Sequence, residues 1–249
     1  MSKADVYRAK LQALEQWDEF LLAESGLPGP RANLELLQVV ADEGSRTLFR
    51  RYVALAANGD STNSPQVYLV ICGAVGLGRL LAEGDSRPLA TLRDLARDPR
   101  WRVREGVAMA LQRWGDADLN ALLVAMKEWA RGTRLEQRAV VAALCEPRLL
   151  RDRKQVKRVL KILDDITRSI VSAPDRADED FKVLRQALGY GWSVVAAALP
   201  EDGKHALERW LISDDFDVRW IMRENLKKTR LTRLDAEWVT HWSAVVRKP

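Results

Sequence analysis

Apolar residues recur at steps of three and four along most of this chain, which is the spacing of one face of an α-helix. Val156, Val159, Leu163, Ile166 and Ile170 follow this spacing over one segment. Turn-forming residues interrupt the pattern, and the segments between them are mostly about 10 to 20 residues long. No run alternates with the two-residue period of a strand. The pattern therefore predicts an all-α protein of about a dozen short helices.

Start and stop signals place several of these helices. Ser2 and Asp5 have the spacing of a capping box, and a first helix is predicted from there through Leu21. A second helix is predicted over about residues 31–43, and Pro65 suits the first position of another. Further breaks are predicted at residues 84–86, 98–99, 115–116, 132–133, 146–147, 173–174, 189–191, 200–203, 213–215 and 229–232.

Two segments, residues 98–111 and 213–226, repeat one helix-opening pattern of an acidic turn, an aromatic residue, Val-Arg and an apolar face. The repeated positions are Trp101 and Phe216, Val103 and Val218, and Arg104 and Arg219. Repetition predicts an α-solenoid of about six antiparallel helix pairs, a right-handed superhelix with a concave face. The whole chain, 1–249, is expected to form this one domain, with its repeat-like core at about residues 85–230. In such repeats an Asp in the turn often bonds an Arg of the next helix, which is one expected role of Arg104 and Arg219.

Residues 66–81 contain the longest apolar run and four glycines. Their Gly-x-x-Gly-x-Gly spacing differs from the Gly-x-Gly-x-x-Gly of dinucleotide-binding loops, and no second strand follows. A buried helix that neighbours approach closely is favoured over a nucleotide-binding loop. The run is also short and interrupted for a bilayer span, so no membrane partner is expected.

Composition narrows the class of protein. Forty Lys and Arg oppose 35 Asp and Glu, for a net charge of +5, so a polyanionic partner is indicated only where the charge is clustered.

Cys72 and Cys145 lack metal-ligand spacing and are typical of reduced core thiols, which predicts a cytoplasmic protein. His205 and His241 have no ligand partners nearby in sequence, and no nucleophile motif is present. No metal and no cofactor are therefore expected.

The basic residues are clustered in two places. The first cluster comprises Arg148, Arg151, Arg153, Lys154, Lys157, Arg158 and Lys161, and four of these, Arg151, Lys154, Arg158 and Lys161, follow one stripe of a predicted helix. The second cluster comprises Arg219, Arg223, Lys227, Lys228, Arg230 and Arg233. Such stripes can follow a phosphate backbone, and the alternative is a solvated helix face.

The nine tryptophans divide into two groups. Six are expected to pack between helices: Trp17, Trp114, Trp129, Trp210, Trp238 and Trp242. Trp101, Trp192 and Trp220 lie beside Arg or Gly at predicted helix starts, where a ring can reach the concave edge. A ring in that position can stack on a base or hold a cation.

The Asp-turn and Val-Arg pattern resembles HEAT repeats, and three segments together suggest a narrower family. Residues 101–105 place a carboxylate one turn after a Trp, residues 137–144 place an Arg before an apolar helix, and residues 180–190 end in Ala-Leu-Gly-Tyr. In this order they are similar to the DNA alkylation repair family, the HEAT-like alkylpurine DNA glycosylases. The similarity covers about residues 85–230 and rests on short motifs.

The resemblance implies an enzyme that binds duplex DNA on a basic concave face and hydrolyses the N-glycosidic bond of alkylated purines. It assigns the cleft residues to Trp101, Glu105, Arg138 and Tyr190, where the family has a Trp, an Asp, an Arg and a second Trp. It also implies nucleic-acid contacts for the basic clusters, Arg104, Trp192 and Trp220. The alternative is a non-catalytic scaffold whose concave face binds a protein.

Overall fold

The computed structural model describes residues 2–247 as an all-helical protein. Helices account for 76% of the chain, and no strand is present among the described residues. The predicted all-α class is confirmed. The chain divides into two compact units, Met1–Ala117 and Asp118–Pro249. A single solenoid of about six helix pairs stays a prediction.

The first unit contains seven α-helices. They are α1 Lys3–Gln12, α2 Asp18–Glu24, α3 Leu34–Glu43, α4 Arg46–Ala54, α5 Pro65–Ala82, α6 Pro88–Leu95 and α7 Trp101–Ala117. A short 3₁₀ helix, Leu55–Asn58, follows α4.

The core of the first unit is built around α5. This helix packs against α3, α4 and α7, and nearly all of its residues from Val67 to Leu81 are buried. Burial on all sides explains why its sequence is apolar all round rather than on one face. The glycine-rich segment is therefore a helix, and a nucleotide-binding loop is excluded. By length and composition α5 is also the one described helix that could cross a membrane, but 78% of it is buried inside the protein.

Glycines in α5 allow its neighbours to approach closely. A Cβ on Gly78 would lie 2.5 Å from the Cα of Ala110 in α7. The Phe49 ring of α4 occupies the space that a side chain at Gly76 would need. Both contacts need a residue without a side chain, as is common where helix backbones touch.

The first predicted helix is divided in the structure. The capping box of Ser2 and Asp5 is present, but α1 ends at Gln12. The indole N–H of Trp17 donates to the Leu11 carbonyl (2.9 Å), which satisfies one acceptor left over at the end of α1. Arg51 and Tyr52 of α4 both donate to Asp18 at the start of α2. These contacts redirect the chain, and sequence periodicity does not detect them.

The second unit contains eight α-helices. They are α8 Leu119–Trp129, α9 Arg134–Leu144, α10 Arg153–Val171, α11 Glu179–Ala198, α12 Pro200–Leu211, α13 Phe216–Leu226, α14 Thr229–Leu234 and α15 Ala236–Arg247. A 3₁₀ helix, Pro147–Leu149, separates α9 from α10.

The core of the second unit is built around α11, which contacts α9, α10, α12 and α13. The predicted break at residues 189–191 is wrong, because α11 continues unbroken through it. Gly191 packs against Cys145 and Val141, and Gly189 packs against Trp220 and Glu224. These glycines make room for neighbouring helices instead of ending a helix.

Polar contacts and thiols complete the two cores. The buried Asn225 side chain accepts from the Ser193 N–H (2.8 Å) and donates to the Leu188 carbonyl (2.9 Å), which ties α13 to α11. Cys72 and Cys145 are both buried and unpaired, as predicted. Burial raises the pKa of both thiols well above the ordinary value.

The six tryptophans expected between helices are buried to different degrees. Trp114 and Trp129 are buried, whereas Trp17, Trp210, Trp238 and Trp242 are half-buried. The indole N–H groups of Trp210 and Trp238 donate to Asp164 and Glu208. These rings combine packing with a polar tip, as half-buried tryptophans commonly do.

Gly78→Ala tests the close contact of α5 with α7. In an unstrained helix this change would stabilise the protein by about 1 kcal/mol. Here the added methyl meets the Ala110 backbone, so we expect the free energy of unfolding to fall by about 2 kcal/mol or more in urea denaturation. Thr91→Ala, at an exposed position of α6, is the control and should change it by less than about 0.5 kcal/mol. A stabilised Gly78→Ala protein would show that the contact is absent.

Candidate functional site

A buried ion pair fixes the turn that precedes α7. Arg100 donates to both carboxylate oxygens of Asp98, at 2.8 and 2.6 Å, and both side chains are 7% exposed. The same guanidinium donates to the Ala56 carbonyl (2.9 Å), and the hydrogen bond with Asp98 raises the pKa of Arg100. The turn is thereby anchored to the 3₁₀ helix that follows α4, which sets the start of α7.

Arg104, near the start of α7, forms hydrogen bonds to the same turn. It donates to the carbonyls of Asp98 (2.7 Å) and Pro99 (2.8 Å) and is 8% exposed. The prediction that Arg104 contacts nucleic acid is wrong, because its guanidinium is buried among backbone carbonyls. Its repeat counterpart, Arg219, is half-buried and donates to the Val246 carbonyl of α15 (3.2 Å). Both arginines thus bond backbone carbonyls, and the nucleic-acid contact of Arg219 stays a prediction.

Trp101, the first residue of α7, presents its ring at the surface. It is 47% exposed, and the guanidinium carbon of Arg102 lies 4.4 Å from the ring centre. Arg102 is itself held by the Gly29 carbonyl (2.6 Å) and by Asn63 (3.2 Å). The ring therefore has a fixed cationic neighbour that is anchored to two loops.

A cavity of about 260 Å³ in the first unit is lined by both Trp101 and Glu105. The spacing of four residues places them on one face of α7, one turn apart. The rest of the wall is mainly apolar: Pro30, Ala32, Leu34, Ile71 and Met109, with Arg31 and Arg102. The loop residues of this wall were not predicted, because nothing in their local sequence indicates that they meet α7. The wall suits a flat ring, and its charged groups are one carboxylate and two guanidinium groups.

The other two predicted cleft residues belong to the second unit. Arg138 is half-buried on α9, and Tyr190 is 45% exposed in the middle of α11.

The Tyr190 ring is already in contact with two cations of the protein. The guanidinium carbon of Arg230 lies 4.4 Å from the ring centre, and the Lys228 Nζ lies 5.8 Å from it. Arg230 also donates to the Tyr190 hydroxyl (2.6 Å). The Tyr190 ring thus lies against two cations of the protein. A cationic ligand would have to compete with Arg230 for the face of this ring.

A cavity of about 310 Å³ next to this cluster is lined by Trp220, Gly189 and Lys228, among others. The half-buried Trp220 ring carries the Arg185 guanidinium, whose carbon lies 4.5 Å from the ring centre. Arg185 is paired in turn with the buried Asp217. Trp220 therefore packs under an arginine, and only part of its ring is available to a ligand.

Trp192 does not reach the surface. It is fully buried in α11, and its indole N–H donates to the Thr167 hydroxyl of α10 (3.0 Å). The expectation that it stacks on nucleic acid is wrong. Because residues 189–191 are helical rather than a turn, Trp192 faces the core.

The first basic cluster is partly neutralised. Lys157 and Arg153 pair with Asp202 of α12 (2.8 and 2.9 Å), and the hydrogen bond with Lys157 lowers the pKa of this carboxyl. Arg151, Lys154 and Lys161 are exposed and form no ion pair within residues 2–247. These three retain the charge that a polyanion could use.

In the second cluster, Lys227 pairs with Glu224 and Arg223 is half-buried. Lys228 remains at the surface beside Tyr190. The positive charge of Lys228 and Arg230 therefore lies beside Tyr190. Arg230 was predicted only as a member of the basic cluster, and its contact with Tyr190 was not, because only the fold brings α14 against α11.

No protein-family model, curated protein or solved structure matches this chain. The resemblance to the DNA alkylation repair family therefore stays a prediction that rests on its motifs. Among residues 2–247, no group of three or more His, Cys, Asp and Glu side chains is arranged to hold a metal ion.

Asp98→Asn tests the ion pair that positions Trp101. It leaves the buried Arg100 without its counter-charge, and we expect the free energy of unfolding to fall by about 3 kcal/mol. Asp94→Asn removes the exposed partner of Arg97 and should cost less than about 1 kcal/mol. Urea denaturation of both variants gives the comparison, and equal small losses would mean that the Asp98 pair does not anchor the turn.

Proposed function

We propose that this protein binds duplex DNA and releases alkylated purine bases by hydrolysis of the N-glycosidic bond. The observation that carries the proposal is the cavity of the first unit, whose wall contains both the exposed Trp101 ring and the Glu105 side chain. The motif resemblance supports the same function. It also assigns these two residues to the cleft.

The chemistry requires the two side chains in different roles. An N-alkylated purine is positively charged, and its glycosidic bond breaks through an oxocarbenium-like state on the sugar. The Trp101 ring would hold the cationic base by cation–π contact, for which the base would have to compete with Arg102. The Glu105 carboxylate would stabilise positive charge on the sugar and favour attack by water.

Other residues would hold the DNA backbone. An arginine such as Arg138 can bind a phosphate through two parallel hydrogen bonds. Tyr190 takes a different role from the one the resemblance assigns, because its ring supports Arg230. Tyr190, Lys228 and Arg230 would together bind backbone phosphates rather than the base.

Glu105 stands where the family has Asp, and this substitution changes the alignment of the carboxylate with the reacting sugar. The longer side chain carries its carboxylate one methylene further from α7. A displacement of about 1 Å can lower the rate of an alignment-dependent reaction roughly a hundredfold. We therefore propose a slower enzyme than a family member with Asp, in which Glu105 keeps its role.

A protein-binding scaffold is the second candidate. It is favoured by the exposed apolar side chains at the cavity, where Leu34 is 55% exposed next to Trp101. Exposed apolar patches of this kind commonly mark protein interfaces. DNA binding and base release distinguish the two candidates.

Glu105→Gln tests the catalytic role. We expect release of methylated base from alkylated duplex DNA to slow by roughly a hundredfold or more, because the neutral amide cannot stabilise the sugar cation. DNA affinity should stay within about twofold, since no phosphate contact is removed. Glu19→Gln, at an exposed position of α2, should release base at the unaltered rate. Undiminished release by Glu105→Gln would remove Glu105 from the reaction.

The salt dependence of binding tests the DNA partner. If Arg151, Lys154 and Lys161 each neutralise a phosphate, affinity for duplex DNA should fall about fortyfold between 50 and 200 mM salt. Lys154→Gln should reduce the slope of log affinity against log salt by about 0.9. Lys157→Gln, whose charge is already paired with Asp202, should change it little. Affinity that does not respond to salt would favour the scaffold.

A further inference from the structure

A further cavity, of about 670 Å³, lies in the second unit. The proposed base release does not use it, although two residues of its wall, Arg158 and Lys161, belong to the first basic cluster. Helices α8, α9 and α10 form its walls. Four basic side chains line it: Lys127, Arg131, Arg158 and Lys161. Arg158 and Lys161 come from α10, Lys127 from α8 and Arg131 from the turn after α8, so the cations line one cavity from different elements.

The positive charge of this cavity is not balanced by its own walls. Of the described residues that line it, Asp165 is the one carboxylate, and Arg168 binds it at 3.0 Å. Lys127, Arg131 and Lys161 form no ion pair within residues 2–247. Arg158 donates to neutral side chains, Asn120 (2.7 Å) and Gln155 (2.8 Å), which hold it in place and leave its charge uncompensated.

A further cation lies behind the floor of the cavity. Arg134 donates to Gln137 and to the Ser169 hydroxyl, both at 3.0 Å, and those two residues line the cavity. Burial lowers the pKa of Arg134, and the negative charge of Asp178 opposes this effect. A bound anion would stabilise all of these cations together.

The neutral polar groups of the floor are already satisfied. The Gln137 amide donates to the Ala130 carbonyl (2.9 Å), and the Ser169 hydroxyl donates to the Ile166 carbonyl (2.7 Å). The cavity therefore offers a ligand charge rather than a specific pattern of hydrogen bonds. Such a site selects a compact molecule with several negative charges.

The opposite flank of α10 provides a contrast. There, Arg153 and Lys157 are both neutralised by Asp202. Arg153 and Lys157 of α10 are thus paired, whereas Arg158 and Lys161 line the cavity. Lys161 lies between the two flanks, because it also lines the groove that contains Lys157 and Asp202. Like charges that line one cavity repel one another, and a bound anion would offset this repulsion.

We propose that this cavity binds a short chain of linked phosphates, of the size of inorganic tripolyphosphate or the triphosphate of a nucleotide. Its volume lies within the range of small-molecule sites, roughly 300 to 1,000 Å³. Arg131 and Arg158 bind phosphate oxygens as planar donors, and Lys127 and Lys161 act as point charges. The site is separate from Trp101 and Glu105 in residues and in chemistry.

Calorimetric titration of the full chain with sodium tripolyphosphate tests the proposal. The unaltered protein should bind one equivalent, and the double variant Lys127→Gln with Arg131→Gln should bind at least about tenfold more weakly. Arg153→Gln with Lys157→Gln removes the same formal charge from the paired flank and should change affinity by less than about twofold. Equal weakening in both double variants would overturn the proposal, because it would show a response to net charge alone.

The source of the phosphate chain is tested in parallel. Tighter binding of adenosine triphosphate than of tripolyphosphate assigns the site to a nucleotide, and the reverse assigns it to an inorganic chain. If neither binds while Lys127→Gln with Arg131→Gln weakens duplex DNA binding, the cavity is part of a nucleic-acid surface and the proposal fails. Glu105→Gln should bind tripolyphosphate as the unaltered chain does, so failure of the proposed enzyme and failure of this site are separable.

Discussion

The close contact between α5 and α7 is the constraint on which the candidate site of the first unit depends. Gly78 lets the backbone of α7 lie against α5 at Ala110, and Gly106 on α7 does the same for Ile71. A side chain at either glycine would push the helices apart. Because Trp101 and Glu105 are on α7, this contact determines how far they stand from Leu34 and the loop before it. The width of the cavity therefore follows from packing in the core.

Charged groups perform two different tasks in this protein. At the start of α7, Asp98, Arg100 and Arg104 are buried and bonded to one another or to backbone carbonyls. They hold a turn in place and are unavailable to a ligand. In the second unit, cations of α10 such as Lys161 face a cavity without a carboxylate partner. Residue type alone does not separate these tasks, since both use arginines and lysines close together in sequence. Burial and partner identity separate them.

The aromatic residues divide in the same way. Trp192 lies in the core with its indole N–H bonded to Thr167, whereas Trp101 lies at the surface. Both were expected at an exposed helix start. The difference arises because α7 begins at Trp101, while α11 extends through Gly189 and Gly191 and places Trp192 in the middle of a helix. Glycine within a helix is unfavourable locally, so the local pattern predicts a break, and only the close approach of α9 and α13 explains the continuous helix.

Local pattern alone determined the helical class, the capping box at Ser2, the burial of α5 and the one-turn spacing of Trp101 and Glu105. These features depend on residues within a few positions of one another, where periodicity and capping act directly. Tertiary structure decided which arginines are buried, which tryptophan is exposed, the loop that completes the Trp101 cavity, and the meeting of Arg230 with Tyr190. Two of these features join residues far apart in sequence: Arg102 bonds Gly29 across 73 positions, and Arg230 bonds Tyr190 across 40. No local pattern specifies such pairs, because they form only when whole helices pack.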